Sequence, residues 1–256
     1  MLFNNRNTSE VNTLFNLAKE NASQPFSFDE IADLPKPVQK YFRFALGKRA
    51  DRDYILSTRF EGWFRLKETQ RWSLINGVDY YSVNCPGFVW VAKIKMSALF
   101  WFTVKDCYLK DEGELLAKAY SLFPVASAKG PEIDQGELSR WLSSAVLFPE
   151  ALLPNDNLTW EPLDDYSARL LFSYKNIKID AVIYFGRSGE IVRFVTDRYA
   201  SETDKFEKWS AYYKSYADHN GRKIPTEVGA VWHFPTKNFH YARFRFANID
   251  FMPEQK

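Results

Sequence analysis

Arg140 and Trp141 are neighbours in a segment with helical patterning, so their side chains leave the axis about 100° apart. Trp141 belongs to the apolar stripe, and Arg140 falls at its edge. From there an arginine reaches a carboxylate on a facing strand, Glu227 or Asp197, as a pair that anchors the helix, or it clamps the anionic group of a bound molecule. Asp197-Arg198 and Arg243-x-Arg245 leave the same two alternatives, because residues two apart on a strand share a face. Arg243 and Arg245 share theirs with Phe239 and Tyr241, which sets a cationic spot beside aromatics. Glu227 follows Pro225-Thr226 at the start of a strand that is apolar on both faces. A carboxylate in that setting is either salt-bridged or perturbed enough for general acid–base work. With Trp209, Tyr213 and Trp232, these residues form the candidate ligand-binding set: Arg140, Trp141, Arg198, Glu227 and Arg243 as polar or edge groups, and the three aromatics as walls.

Metal and nucleophile chemistry find less support. His233 and His240 flank Pro235–Asn238, and a tight hairpin centred on Thr236-Lys237 sets them opposite each other. Two imidazoles need a third ligand, and none stands at a suitable spacing, so plain hairpin histidines are expected and no metal is assigned. His219 reads as a solvated turn residue, and the side chains of Asp164-Asp165 diverge too far to share a proton. There is no G-x-S-x-G, G-x-x-x-x-G-K-[ST], G-x-G-x-x-G, H-E-x-x-H or C-x-x-C, so no catalytic motif or cofactor is assigned.

The elements that must carry these residues are those of a folded, aromatic-rich chain. Of 256 residues, 46% are apolar and 17% aromatic, which suffices for a large interior or an apolar cavity. Lys+Arg number 34 against 32 Asp+Glu, too even a balance for nonspecific nucleic-acid binding. Two cysteines, Cys85 and Cys107, make neither a disulfide framework nor a four-ligand zinc site. The N-terminal stretch has no signal-peptide pattern, and the apolar run Phe88–Val104 is broken by Lys93 and Lys95. No transmembrane segment and a soluble, cytoplasmic chain are therefore expected.

Helical periodicity opens the chain. Val11, Leu14, Phe15 and Ala18 form one stripe; Ser27 and Glu30 form a capping box; Pro35 and Pro37 open a helix bearing Val38, Tyr41, Phe42 and Ala45, with Gly47 as its stop. From Tyr54 the period becomes 2. Asn76-Gly77 and Asn220-Gly221 read as two-residue hairpin turns, with weaker turns at Glu112-Gly113, Asn176 and Ser188-Gly189. A helix over about 134–148, starting at Asp134 and Glu137 and ended by Pro149, interrupts the strands. The expected fold is mainly β (α+β): a large antiparallel sheet of roughly twelve strands, bent into a half-barrel or open barrel, with N-terminal helices (1–50) packed on a single β domain (51–256) that carries the inserted helix.

Several motifs resemble a bacterial family described only as a domain of unknown function. They are Leu34-Pro-Lys-Pro37-Val38-Gln-Lys-Tyr41, Gly136-Glu-Leu-Ser-Arg140-Trp141-Leu142 with Pro149-Glu-Ala-Leu-Leu153-Pro154 and Trp160, and Gly221-Arg-Lys-Ile224-Pro225-Thr226-Glu227 with Trp232. Two positions depart from its pattern: Ser144 stands where the family carries Glu, and Glu150 where it carries Thr. The resemblance implies no activity. In shape the expected fold is also similar to the bacterial lipoprotein-carrier (LolA/LolB-like) half-barrels.

Three readings of function follow. The first is a module that binds a lipid-like or other hydrophobic molecule. The second is a small-molecule enzyme using Glu227 with Arg140 or Arg198. The third is a scaffold whose apolar face takes another chain, including a second copy through a sheet edge.

Overall fold

The computed structural model describes residues 5–20, 27–46 and 54–252. Among these residues there are three α-helices, α1 (Asn5–Glu20), α2 (Lys36–Ala45) and α3 (Pro131–Ser144), with 3-10 turns at Phe28–Ile31, Ala145–Leu147 and Pro149–Leu152. Thirteen strands follow in chain order: β1 (Ile55–Phe64), β2 (Ser73–Ser82), β3 (Phe88–Lys95), β4 (Trp101–Leu109), β5 (Glu112–Ala119), β6 (Phe123–Ala128), β7 (Leu158–Asp164), β8 (Ser167–Tyr174), β9 (Ile177–Phe185), β10 (Ile191–Ala200), β11 (Lys205–His219), β12 (Arg222–Phe234) and β13 (Lys237–Met252). Their hydrogen-bonded order is β6-β5-β4-β3-β2-β1-β13-β12-β11-β10-β9-β8-β7, so β6 and β7 are edges and the sheet is open. The expected class, mainly β and antiparallel with N-terminal helices and one inserted helix, is what the chain adopts. Among the described residues no helix is long and apolar enough to cross a membrane.

The chain divides into two compact units. The first holds α1, β1–β6, α3 as far as Trp141, and β13 from Tyr241. β3, at its centre, is buried on both faces over Phe88–Ala92. On one face, Leu14 and Ala18 of α1 pack on Val78, Val89, Val91 and Cys107, as the i, i+3, i+4, i+7 stripe requires. The opposite face carries Asp79, Trp90 and Asp106, and receives α3. Two hydrogen bonds dock that helix: Gly113 N donates to Asp134 Oδ1 at 2.7 Å, and Trp141 Nε1 donates to the Ser82 carbonyl at 3.0 Å. α3 begins at Pro131 rather than at 134, since Asp134 N already donates to the Gly130 carbonyl at 2.9 Å, and its α-helical part stops at Ser144.

The second unit holds α2, the 3-10 turns around it and after α3, and β7–β12. The Ser27–Glu30 capping box is present, with Ser27 N donating to Glu30 Oε1 at 2.7 Å. Val38, Tyr41, Phe42 and Ala45 of α2 are buried. Gly47 lies outside the described residues.

The two Asn-Gly pairs part ways. Asn220 (φ 54°) and Gly221 (φ 79°) make the expected turn between β11 and β12. Asn76-Gly77 makes none, for β2 runs straight through it, with Asn76 paired to Glu61 and Lys93, and Gly77 to Phe60 and Ala92. Gly77 is there for space: a Cβ would lie 2.4 Å from the Val91 carbonyl oxygen and 2.5 Å from the Phe60 ring. The next turn is likewise displaced from Glu112-Gly113 to Lys110-Asp111 (φ 54° and 69°).

Candidate functional site

In the first unit, Thr58, Asp79, Trp90 and Asp106 stand in register across β1 to β4 on the face that α3 covers. Docking of α3 brings Arg140 onto this row. Its guanidinium lies 4.5 Å from the Trp90 ring centre and 5.3 Å from that of Phe88, and it forms an ion pair with Asp106. The arginine side chain keeps 18% of its exposure, so this is the edge of the covered region. Burial opposes the charge on Arg140, but the attraction of Asp106 and Glu137 outweighs it, and its pKa lies above the ordinary value.

Asp79 is the perturbed group. Thr58 Oγ1 donates to its Oδ2 at 3.2 Å, while Oδ1 of Asp79 and Oδ1 of Asp106 are buried without a hydrogen-bond partner. Burial raises the Asp79 pKa most, and Asp106 adds to it; Arg140, Thr58 and Tyr81 pull the other way, leaving it at about 7. The folded protein thus holds this proton at pH values where an unfolded chain, with an aspartate near 3.8, has released it. Stability is therefore highest towards the acid side of that interval and falls as pH rises to about 7, by an amount on the order of 2–4 kcal/mol. Asp79→Asn is expected to flatten the dependence and to make the protein more stable than wild type at pH 8. Urea unfolding at several pH values between 5 and 8 reads this directly, and parallel curves for the two proteins would refute it.

Beyond the polar row the same face is aromatic and apolar. Trp90 stacks on Phe60 at 5.4 Å, and Phe244 of β13 closes the group at 5.0 Å from Phe60 and 6.4 Å from Trp90. By register the strip continues through Ala92, Val104, Ala117 and Phe102, of which the last three are only half-buried. One end of an apolar surface is therefore marked by an arginine, two carboxylates and a threonine hydroxyl.

Three other clusters have clear chemistry. On the α1 face, carboxylate oxygens of Glu10 and Glu114 and the Cys107 sulfur lie within 4.8 Å of one another. Lys105 Nζ already sits 2.6 Å from Glu10 Oε1 and 3.1 Å from Glu114 Oε2, taking a cation's place, and burial pushes the Cys107 thiol up to about 12. In the second unit, Ser210 Oγ lies 2.9 Å from His233 Nε2, and His233 Nδ1 lies 2.6 Å from Asn238 Oδ1. The arrangement is that of a nucleophile, a base and an orienting amide. Yet Ser210 is fully buried, and Arg193 Nε and Nη2 donate to its oxygen at 3.2 and 3.1 Å, so the hydroxyl is a strut between strands. The third cluster is a buried ion pair between Arg222 and Glu150.

The residues singled out by sequence fall into three places. Arg140 and Trp141 belong to the site just described, but Arg140 pairs with Asp106 rather than with Glu227 or Asp197. In the second unit, Arg198 stacks on Trp209 at 4.8 Å and faces Trp232 at 5.9 Å. Tyr213 shares that face, and its hydroxyl donates to the Ser143 carbonyl at 2.6 Å. Glu227 does not join them: it is opposite Lys214, one residue out of phase with the Trp209–Trp232 and Tyr213–Val228 pairs, and so projects from the other face. The pairing of Glu227 with Arg198 in one cavity is therefore not found. Asp197 is exposed, 3.5 Å from Lys208. Arg243 stands on the face opposite the one that α3 covers, 4.8 Å over the Trp72 ring and opposite Trp63. Its neighbours are Trp63 and Trp72. His233 meets Asn238 and not His240, because the turn between β12 and β13 is Pro235-Thr236.

Asp79 and Asp106 escaped the sequence reading. The signal was present: acidic residues in the mostly apolar strand stretches Val78–Val83 and Val104–Leu109 need a partner.

No curated protein matches the chain. Among solved structures, a LolA superfamily protein from Nitrosomonas europaea is similar at a TM-score of 0.42 and 8% identity, with 86% of this chain and 93% of that chain covered. A family model matches residues 24–244; its description is a family of unknown function, DUF6544.

Proposed function

The chain belongs to the DUF6544 family, and from that premise we propose that it binds an elongated apolar molecule, lipid-like in character, along the α3-covered face of its first unit. One observation carries the reading. The Phe60–Trp90–Phe244 cluster leads from the Arg140–Asp106 pair onto half-buried Val104, Ala117 and Phe102, so apolar surface and a polar orienting group occur together, the usual composition of a small-molecule site. The tail of such a ligand covers the strip. Its polar end meets Arg140 and the two carboxylates, which orient it.

Native mass spectrometry of freshly purified protein, followed by organic extraction, tests this by looking for a released amphiphile. Displacement of a fluorescent fatty acid gives the quantitative arm. Phe244→Glu, which puts a charge into the strip, is expected to weaken binding by about tenfold or more. Repeated ligand-free preparations that also fail to bind the probe, or a Phe244→Glu protein that binds as well as wild type, would sink the proposal.

A further inference from the structure

The loops 65–72, 96–100 and 120–122, which join β1 to β2, β3 to β4 and β5 to β6, emerge at one end of the first unit, because consecutive strands are antiparallel. They touch one another. Gln70 Nε2 approaches Met96 Sδ at 3.9 Å, Tyr120 N donates to the Trp101 carbonyl at 3.1 Å, and the hydroxyls of Thr103 and Ser121 lie 2.6 Å apart. At the tips stand large apolar side chains in water: Leu66 is 54% exposed, Leu99 82%, Leu122 71% and Phe123 65%. The opposite end of the unit, at 83–87 and 110–111, carries none of the exposed large apolar residues.

Charge at this end is one-sided. Residues 64–74, 93–103 and 117–125 contain Arg65, Lys67, Arg71, Lys93, Lys95 and Lys118 against Glu68 alone, in a chain that is nearly neutral overall. Two of the cations are held by aromatic rings just behind the tips: Arg65 lies 4.7 Å from Trp72 and Lys93 4.3 Å from Trp101. Trp101 and Tyr120 pack edge to face at 5.1 Å in the same layer.

We propose that this three-loop end is a docking surface for an anionic lipid bilayer, with Leu66, Leu99, Leu122 and Phe123 entering the head-group and acyl boundary and the ring of Lys and Arg lying against the lipid charges. Apolar tips, a tryptophan and tyrosine layer, and a basic collar follow one another in the order in which a bilayer presents hydrocarbon, interface and charged surface. Strand addition to the β6 edge is the competing use of these residues. Pro124 removes a donor from that edge, and the register shift between Ala117 and Lys118 disturbs the strand behind it, both of which disfavour such pairing.

The test is flotation with vesicles of equal parts phosphatidylcholine and phosphatidylglycerol, beside vesicles of phosphatidylcholine alone. Binding to the first is expected to exceed binding to the second by about tenfold or more and to weaken as salt is raised. The triple variant Leu99→Glu, Leu122→Glu, Phe123→Glu is expected to lose binding by at least about tenfold with an unchanged melting temperature, since these side chains bury little. Lys95→Glu with Lys118→Glu is expected to abolish the preference for the anionic vesicle. Should the triple variant fold poorly, quenching of wild-type tryptophan emission by brominated acyl chains, reduced in Trp101→Phe, gives a second readout, and its absence overturns the proposal. No association with either vesicle, or undiminished binding by a folded triple variant, also overturns it. Concentration-dependent self-association that the triple variant abolishes, without vesicle binding, overturns it as well and assigns the surface to a second copy of the chain. None of these changes touches Phe60, Trp90 or Phe244, so ligand binding is read independently.

Discussion

Replacing Arg140 by methionine is expected to destabilise the protein by about 3–5 kcal/mol and to lower its melting temperature by roughly 6–20 °C. The guanidinium pairs with Asp106 and stands across Trp90 from Asp79, and one oxygen of each carboxyl group already lacks a hydrogen-bond partner, so nothing else is in place to compensate the Asp106 charge. Methionine keeps the packing on Trp90 and Phe88 but leaves Asp106 buried and unpaired, and the loss is then chiefly electrostatic. Adding Asp106→Asn to Arg140→Met is expected to recover most of it, whereas Asp106→Asn alone is expected to cost less than Arg140→Met. Weaker binding of the fluorescent fatty acid is also expected, since Arg140 is the cation proposed to meet the polar end of the ligand. Urea unfolding of the single and double variants checks the cycle, and an Arg140→Met protein within about 1 kcal/mol of wild type would mean that the pair is ornamental.

The second large effect lies in the other unit. Glu150 sits in the 3-10 turn Pro149–Leu152 and Arg222 at the start of β12; both side chains are essentially out of water, and Arg222 Nε donates to Glu150 Oε1 at 2.6 Å. Glu150→Ala is expected to cost about 3–5 kcal/mol, because it strands a guanidinium in the interior. Glu150→Leu combined with Arg222→Met, which removes both charges and keeps the volume, is expected to return to within about 1–2 kcal/mol of wild type or above it. Thermal melts of the three proteins decide between this account and one in which each side chain matters alone. In this chain a glutamate at 150 thus has its counter-ion in Arg222.

Periodicity revealed most of the fold. The α1 stripe, the Ser27 capping box, the Pro-led α2, the Asn220-Gly221 turn and the alternation of β9 are local, and local physics is what a single sequence displays. Where non-local contact decides, the reading went astray. Asn76-Gly77 has the chemistry of a turn, yet the glycine serves the approach of Phe60 from the neighbouring strand. Dividing β2 there concealed that Asp79 stands beside Trp90, in the row whose next member, Asp106, is the partner of Arg140. Glu227 and Arg198 looked compatible, but the alternation of β12 against β11 sends them to opposite faces, which one residue of register is enough to do. Arg140 and Trp141 were legible as members of the candidate site because the helix pattern fixes their directions; Asp106 was not, because its place there depends on which strand lies under the helix.

The pairing of β1 with β13, which joins Ile55 to Met252, has a consequence for synthesis. The two segments lie roughly 200 residues apart, and a ribosome adding about 5–20 residues per second needs roughly 10–40 s to make the second after the first. Once β6 has been made the nascent first unit has every other strand neighbour it needs, and until β13 follows the outer edge of β1 remains an open template bearing Phe60 and Trp63. A chaperone that recognises such an edge, or a pause in translation that lengthens the exposure, would therefore act on yield without altering any property of the finished protein.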